Sequence, residues 1–263
     1  MPDARALPVV SPMVLRFFRG VVRRYFRRHF RAVMVQRPEM LAGVRGPLVV
    51  YANHSSWWDP MVSVLLAEQL LPSATHYAPM DAGALQRYGI LRKVGVFGVE
   101  MQTARGAAQF LRTSQAILQA GGVVWITPQG RFADARAELE FKPGLGALVA
   151  RVPEVTVLPL AIEYTFWDER LPEVLLRFGE PMRMSGASAD EATARLEASL
   201  AAVMAELKEA AMSREAGRFS VLVQGGRGTG GMYAVVRRLR GMFGGGAVRE
   251  DHTERVEAPE SSR

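Results

Sequence analysis

The run Asn53-His54-Ser55-Ser56-Trp57-Trp58-Asp59-Pro60 holds the residues of this chain best suited to chemistry. An imidazole takes or gives a proton near neutral pH. A carboxylate on its other ring nitrogen fixes the tautomer and steadies the imidazolium. His54 and Asp59 offer that pair, and the task it suits is removing the proton of a bound hydroxyl. The chain has no cysteine, which excludes thiol nucleophiles, disulfides, cysteine zinc sites and iron–sulfur clusters. It also has no Gly-x-Ser-x-Gly elbow, so nothing suggests a covalent acyl-enzyme. His29, His76 and His252 stand in dissimilar contexts without a His-Glu-x-x-His pattern, and no metal site is expected. A plainer reading stays open, in which Asp59 caps the helix begun by Pro60 and His54 is a hydrogen-bonded histidine at a strand end.

The elements that must position this run are legible. Leu48-Val49-Val50-Tyr51-Ala52 reads as a buried strand and 60–71 as an apolar helix. The histidine then lies at the carboxyl end of a strand, in the crevice where open α/β sheets bind ligands. Further strands are expected at 94–99, 123–127, 155–163 and 174–178, with helices near 82–92, 104–119 and 144–150. That alternation predicts an α/β fold, a central and mostly parallel sheet flanked by helices. A long helix is expected over 189–212, with Ser188 as N-cap, Glu191 completing a capping box, and Leu196, Leu200, Val203 and Leu207 as its buried stripe. No internal repeat is present.

A chain of 263 residues with 49% apolar and 22% charged residues is one large domain or two small ones with a sizeable core, not a mainly disordered chain. Its charge is uneven. Residues 1–37 carry nine basic residues against one acid, 38–213 fifteen against nineteen, and 214–263 nine against six. Over 9–35, Arg16, Arg19, Arg23, Arg24, Arg27, Arg28 and Arg31 interleave with Leu15, Phe18, Val22, Phe26, Phe30 and Val33. The apolar steps of three and four predict an N-terminal basic amphipathic helix associated with the headgroup layer of a membrane. An ordinary surface helix packing its stripe on the domain is the alternative. No run reaches the ~18 apolar residues that span a bilayer. Charges spread through the apolar stretch also argue against a cleavable signal peptide.

Near the other end, 219–223 reads as a strand, followed by a glycine-rich turn at 225–231 that lacks the Lys-Ser/Thr of a phosphate loop and reads as a linker. A second basic interfacial helix is expected at 232–243, with Arg237, Arg238 and Arg240, and a disordered tail from 244. The expected organisation is a membrane-contacting segment at 1–37, an α/β domain at 38–216, a glycine-rich turn and basic helix at 217–243, and a tail at 244–263. Nucleic acid is not an expected partner, because the basic residues sit on a Phe/Val/Leu helix and no reader motif occurs. Nothing in the sequence sets an oligomeric state.

The stretch from Asn53-His54 to Asp59-Pro60 resembles the His, four residues, Asp motif of the glycerophospholipid acyltransferases, the 1-acylglycerol-3-phosphate acyltransferase-like family. Further blocks follow in that family's order over roughly residues 40–180. Gly95-Val96-Phe97-Gly98-Val99-Glu100 is similar to its second block, and Pro128-Gln129-Gly130-Arg131 stands where the family has Pro-Glu-Gly-Thr-Arg. Phe141-Lys142-Pro143-Gly144 and Val157-Leu158-Pro159-Leu160 resemble the two blocks after that. The resemblance implies transfer of an acyl group from acyl-CoA or acyl carrier protein, as co-substrate and without a further cofactor, to a hydroxyl of a lysophospholipid or related lipid. It also implies a peripheral, monotopic place on the cytoplasmic face of a membrane and a part in phospholipid biosynthesis.

His54 then stands as general base and Asp59 as its orienting partner. Gln129, Gly130, Arg131, Arg105 and Lys142 are the expected substrate-binding residues, with the turn at Gly130 a source of oxyanion donors. Trp57 and Trp58 are expected as pocket walls and Trp125 as core. Two positions depart from the family pattern. The arginine ending its second block is Met101 here, with Arg105 the nearest replacement, and the arginine two places after the glycine is Phe132, with Arg131 displaced by one. Neither Met nor Phe can fork a phosphate, so an acceptor other than lysophosphatidic acid is expected: a glycolipid, an aminolipid or another hydroxylated lipid. An acyl-thioester hydrolase using the same pair, and a non-catalytic membrane lipid-binding protein, are the rival readings.

Overall fold

Strands covered on both faces have to be apolar along their whole length, and two inner strands of this protein's sheet, Leu48–Ala52 and Val123–Ile126, follow that rule. A computed structural model describes residues 7–41, 44 and 46–226. The elements run α1 (Pro12–His29), β1 (Ala32–Gln36), β2 (Leu48–Ala52), α2 (Asp59–Leu70), β3 (His76–Asp81), α3 (Ala82–Arg87) and β4 (Val96–Val99). They continue as α4 (Ala104–Gln119), β5 (Val123–Ile126), α5 (Gly144–Arg151), β6 (Thr156–Thr165), β7 (Glu173–Phe178), α6 (Ala189–Ser213) and β8 (Ser220–Gln224). The described strands form one sheet in the order β4-β3-β5-β2-β6-β7-β1-β8. Pairing is parallel except for β6 with β7 and β1 with β8.

Alternate residues of the central strands feed two cores. Val50, Ala52, Trp125, Leu158 and Leu160 pack with Val22 and Phe26 of α1 and Val62, Leu65 and Leu66 of α2. Val49, Tyr51, Val124, Ile126 and Val157 pack with α4, α5 and α6 through Phe110, Leu145, Leu148, Leu196 and Leu200. Gly146 lets α5 and α6 approach closely, since a Cβ there would stand 2.1 Å from Thr193 Oγ1. Ser188 and Glu191 make both bonds of the expected capping box. Trp125 is buried, as expected of a core residue.

Several expectations change. The apolar stripe read as facing a membrane is turned inward: Val22, Phe26, Phe30 and Val33 are buried in the domain, with Phe18 packed against them. Arg31 N–H donates to Pro172 O at 2.8 Å, which draws the chain out of α1 and into β1 between β7 and β8. Val33 is therefore a strand residue, and the sheet crosses both boundaries expected, at 37 and at 216. The expected helix at 82–92 is α3 followed by a 3-10 turn at Gly89–Val94, so β4 starts at Val96. Residues 227–263, with the expected second basic helix and tail, lie outside the described residues.

β3 escaped the sequence reading because it carries Pro79. Ala78 N–H donates toward β4, to Gly95 O at 3.2 Å. Backbone groups alternate sides along a strand, so Pro79 turns its missing donor toward β5, whose pairing with β3 stops at Tyr77. No ladder bond is lost.

The first residue of β3, His76, carries a titration signature. The indole Nε1–H of Trp125 donates to His76 Nδ1 at 3.1 Å, so Nε2 holds the ring's proton and donates to Leu71 O at 2.9 Å. Burial, the largest cause, lowers the His76 pKa. As pH falls below about 6.5 the unfolded chain gains a proton here that the folded chain refuses, and stability drops. Urea midpoints measured across pH 4–8 should show a steeper acid decline in wild type than in His76→Gln.

Candidate active site

β2 and β5 are neighbours, and the helices that follow them leave on opposite faces, α2 toward α1 and α5 toward α6. That divergence opens a crevice at the carboxyl ends of the two strands. His54 follows β2 and Gln129 follows β5, so each enters the crevice from one side.

The backbone around His54 is held on three sides. Where β2 stops, the Asn53 amide carries the pairing on: its Nδ2 donates to Ile162 O at 2.9 Å and its Oδ1 accepts from Ile162 N–H at 2.8 Å. His54 N–H donates to Gln129 Oε1 at 2.9 Å. His54 O accepts from Ala133 N–H at 2.9 Å, which fastens the loop after Gly130 beside the histidine.

His54 Nδ1 lies 2.8 Å from Asp59 Oδ2, and Asp59 is 2% exposed. The same oxygen accepts from Ser56 N–H at 2.9 Å, and Oδ1 accepts from the Tyr164 hydroxyl at 2.6 Å. A carboxylate can only accept, so Nδ1 carries the hydrogen and Nε2 is left with its lone pair. Nε2 has no hydrogen-bond partner among the described residues, and the side chain is 17% exposed. This geometry decides against the capping reading of Asp59. The cap position of α2 is Trp58, which makes no side-chain cap bond; Asp59 is the first helical residue and turns its carboxylate to the histidine.

Tyr164 is the residue that sequence reasoning missed. Burial, and after it the Asp59 carboxylate, push its phenol well above the ordinary range, which keeps it a donor. It stands 105 positions from Asp59, and no local pattern marks it. Its signal lies in strand alternation: Ile162 and Tyr164 share the α1–α2 face of β6. Tyr164→Phe should lower the unfolding free energy by about 1.5–3 kcal/mol, since it removes a buried hydrogen bond to a charged group; denaturant titration measures it.

The other expected residues divide. The Phe132 ring sits 4.3 Å from that of His54 and 5.1 Å from that of Trp57, so Trp57 reaches the site as part of an exposed aromatic wall. Trp58 turns toward α1, with its Nε1–H on Tyr25 Oη at 3.0 Å and its ring edge-on to Phe30 and Tyr164. Gly130 has φ of 60°, and the Lys142 side chain lies across it, 2.9 Å from where a Cβ would stand. Gly130 N–H is taken by Thr127 O at 3.0 Å; the Arg131 and Phe132 N–H groups have no acceptor among the described residues. Arg131 forms an ion pair with Glu140 on the exposed loop. Arg105 is exposed on the first turn of α4 and makes no hydrogen bond or ion pair among the described residues. Met101 is partly buried and packs against the core that includes Phe110 and Leu111 of α4. No cluster of three metal-ligating side chains occurs among the described residues.

Comparison with known proteins agrees with this architecture. The chain is 20% identical to the 1-acyl-sn-glycerophosphate (LPA) acyltransferase PlsC of Thermotoga maritima, with a TM-score of 0.57 over 74% of this chain and 79% of that one, a likeness of fold. It is 30% identical over 157 residues to the lyso-ornithine lipid O-acyltransferase of Rhizobium meliloti (strain 1021), covering 54% of this chain and 52% of that protein. The chain thus spans about half the length of that relative. The family described as Acyltransferase matches residues 26–163, more than half of the chain, from the last turn of α1 to the β6 residue beside Tyr164. The chain belongs to this acyltransferase family.

Proposed function

We propose that the protein transfers a fatty acyl group from an acyl thioester, acyl-CoA or acyl carrier protein, to a hydroxyl of a lyso-lipid at a membrane surface. The observation that carries this reading is the His54–Asp59 pair at 2.8 Å, with Nε2 unpartnered in the crevice of the sheet. His54 Nε2 takes the hydroxyl proton as the oxygen attacks the thioester carbonyl. The tetrahedral intermediate collapses with loss of the thiolate, which receives the proton back from the imidazolium. Asp59 orients the ring and steadies its charged form, as carboxylates do in other His–Asp pairs. The Arg131 and Phe132 N–H groups are the donors for the oxyanion, since that of Gly130 is already bonded.

The acceptor is an aminolipid. At the position where the family has a phosphate-binding arginine, Phe132 packs against the catalytic ring, and Arg131 is engaged with Glu140. The relative from Rhizobium meliloti is named for a lyso-ornithine lipid. The test is to supply labelled acyl-CoA with lyso-ornithine lipid or lysophosphatidic acid. Label is expected in the aminolipid product. Free fatty acid released without any acceptor would instead identify a hydrolase.

The membrane face is the outer side of α1. Val9, Met13, Phe17 and Val21 recur every four residues and are exposed, Phe17 at 68%. Ser11 N–H donates to Lys93 O at 2.8 Å, which sets this ridge beside the 3-10 turn carrying the exposed Tyr88 and Ile90. Arg24, Arg27 and Arg28 continue the same outer side. Apolar residues flanked by arginine suit the headgroup layer of an anionic, cytoplasmic leaflet. Among the described residues no helix is long and apolar enough to cross a membrane. Phe17→Asp should weaken binding to phosphatidylglycerol vesicles at least about tenfold in a sedimentation assay, because burying one aromatic ring contributes about 1.5–3 kcal/mol.

A further inference from the structure

β6 outruns its neighbour. Its register with β2 ends at Ala52 and Leu160, while β6 continues to Thr165. In this extension Ile162 is fastened to Asn53 and Tyr164 to Asp59. Glu163 lies between them and faces the other way, toward α6, on the side of Ala161, which packs with Val203 and Leu207.

A groove of about 1070 Å³ opens on that side, bounded by the Ser55–Trp58 loop, the extension of β6, the 134–139 loop and α6. The α6 wall is cut back by Ala194, Ala198, Ala201 and Ala205. It runs from Ala194 to Met212, about 27 Å of helix, enough for a lipid chain. Three of the six charged groups in the walls are engaged. Asp134 pairs with Arg136, and Glu197 accepts Phe141 N–H at 2.7 Å; Glu138 is exposed at the rim. Glu163 is half-buried and has neither an ion pair nor a hydrogen bond among the described residues. Burial raises its pKa, and Lys208 on α6 is the cation whose field it feels. Ser55, next to the catalytic histidine and lining the same groove, has a buried hydroxyl oxygen without a partner among the described residues.

We propose that Glu163 and Lys208 form the headgroup subsite of the acceptor, Glu163 receiving an ammonium group and Lys208 a carboxylate of a zwitterionic amino-acid lipid. A negative and a positive side chain held apart across an open groove complement a zwitterion, and neither compensates the other by direct contact. The strand that carries Glu163 is the one bonded to Asn53, so a headgroup held there stands beside the loop that presents His54. This subsite rests on the aminolipid reading above.

The experiment compares kcat/KM of the full chain for lyso-ornithine lipid with that for monoacylglycerol, a neutral hydroxyl acceptor, both in mixed micelles with acyl-CoA. Glu163→Gln should lower the ratio of the two about tenfold, the worth of one charge-assisted hydrogen bond. Lys208→Met, on the exposed side of a helix where folding is not at risk, should lower it about threefold, as befits a more exposed charge. Ratios unchanged in both variants, with wild type still acylating the aminolipid, would overturn the subsite and leave acyl transfer standing. A wild-type enzyme that acylates lysophosphatidic acid and ignores the aminolipid would overturn the subsite together with the aminolipid reading. If Glu163→Gln fails to fold, the Lys208→Met ratio decides alone.

Discussion

His54→Ala is expected to lower kcat/KM for acyl transfer by about 10²–10⁴-fold, the usual worth of a positioned general base, with donor and acceptor still bound. The imidazole is the group with a free nitrogen in the crevice, and its ring is turned to present that nitrogen by the bond from Nδ1 to Asp59. The backbone of residue 54 keeps its bonds to Gln129 and Ala133 whatever the side chain. Asp59 keeps two of its three donors. The stability loss should therefore stay near about 1 kcal/mol, or about 2–4 °C in Tm for a chain of this size. Single-turnover transfer and a thermal melt on the same preparation check both halves. Full transfer by a folded His54→Ala variant would remove the histidine from the mechanism.

The second large effect belongs to Asp59, and the choice of substitution separates catalysis from structure. Asp59→Ala leaves the Tyr164 hydroxyl, Ser56 N–H and His54 Nδ1–H without their acceptor inside the protein. Each buried donor left unsatisfied costs about 1–3 kcal/mol, so that variant loses activity and stability together. Asp59→Asn keeps the shape. Its amide oxygen can serve Ser56 and His54, and its NH2 can donate to the Tyr164 oxygen. The stability loss should therefore stay at about 1.5–3 kcal/mol, the worth of the one Tyr164 bond it gives up. The imidazolium then has no carboxylate beside it. The fall in kcat should approach the ~10⁴-fold loss that the same change produces in serine protease triads. A folded Asp59→Asn enzyme with kcat within threefold of wild type would make the aspartate structural.

The sequence displayed the parts that depend on near neighbours. Val49, Val50, Val123 and Val124 announce buried strands because no polar residue interrupts them. Ser188 and Glu191 announce a helix start because capping is settled within four residues. Elements whose identity depends on distant partners were hidden. Pro79 disguised β3, which is tolerated because pairing on that side has already ended. The valines of β1 continue the spacing of α1, so that only the sheet, by accepting Arg31 and the residues after it, decides where the helix stops.

The same division runs through the site. The pairing of His54 with Asp59 was legible in residue type and in a spacing of five, which brings the two side chains within reach of each other. Which way each side chain turns was decided by tertiary structure. Asp59 could have capped α2, but the Tyr164 hydroxyl and Ser56 N–H hold its carboxylate toward the histidine, whose backbone is held by Gln129. The apolar side of α1 could have met lipid, but the sheet buries it and exposes a different ridge. Local chemistry is a property of the chain; orientation is a competition among surfaces, and it is resolved only when every surface has found its neighbour.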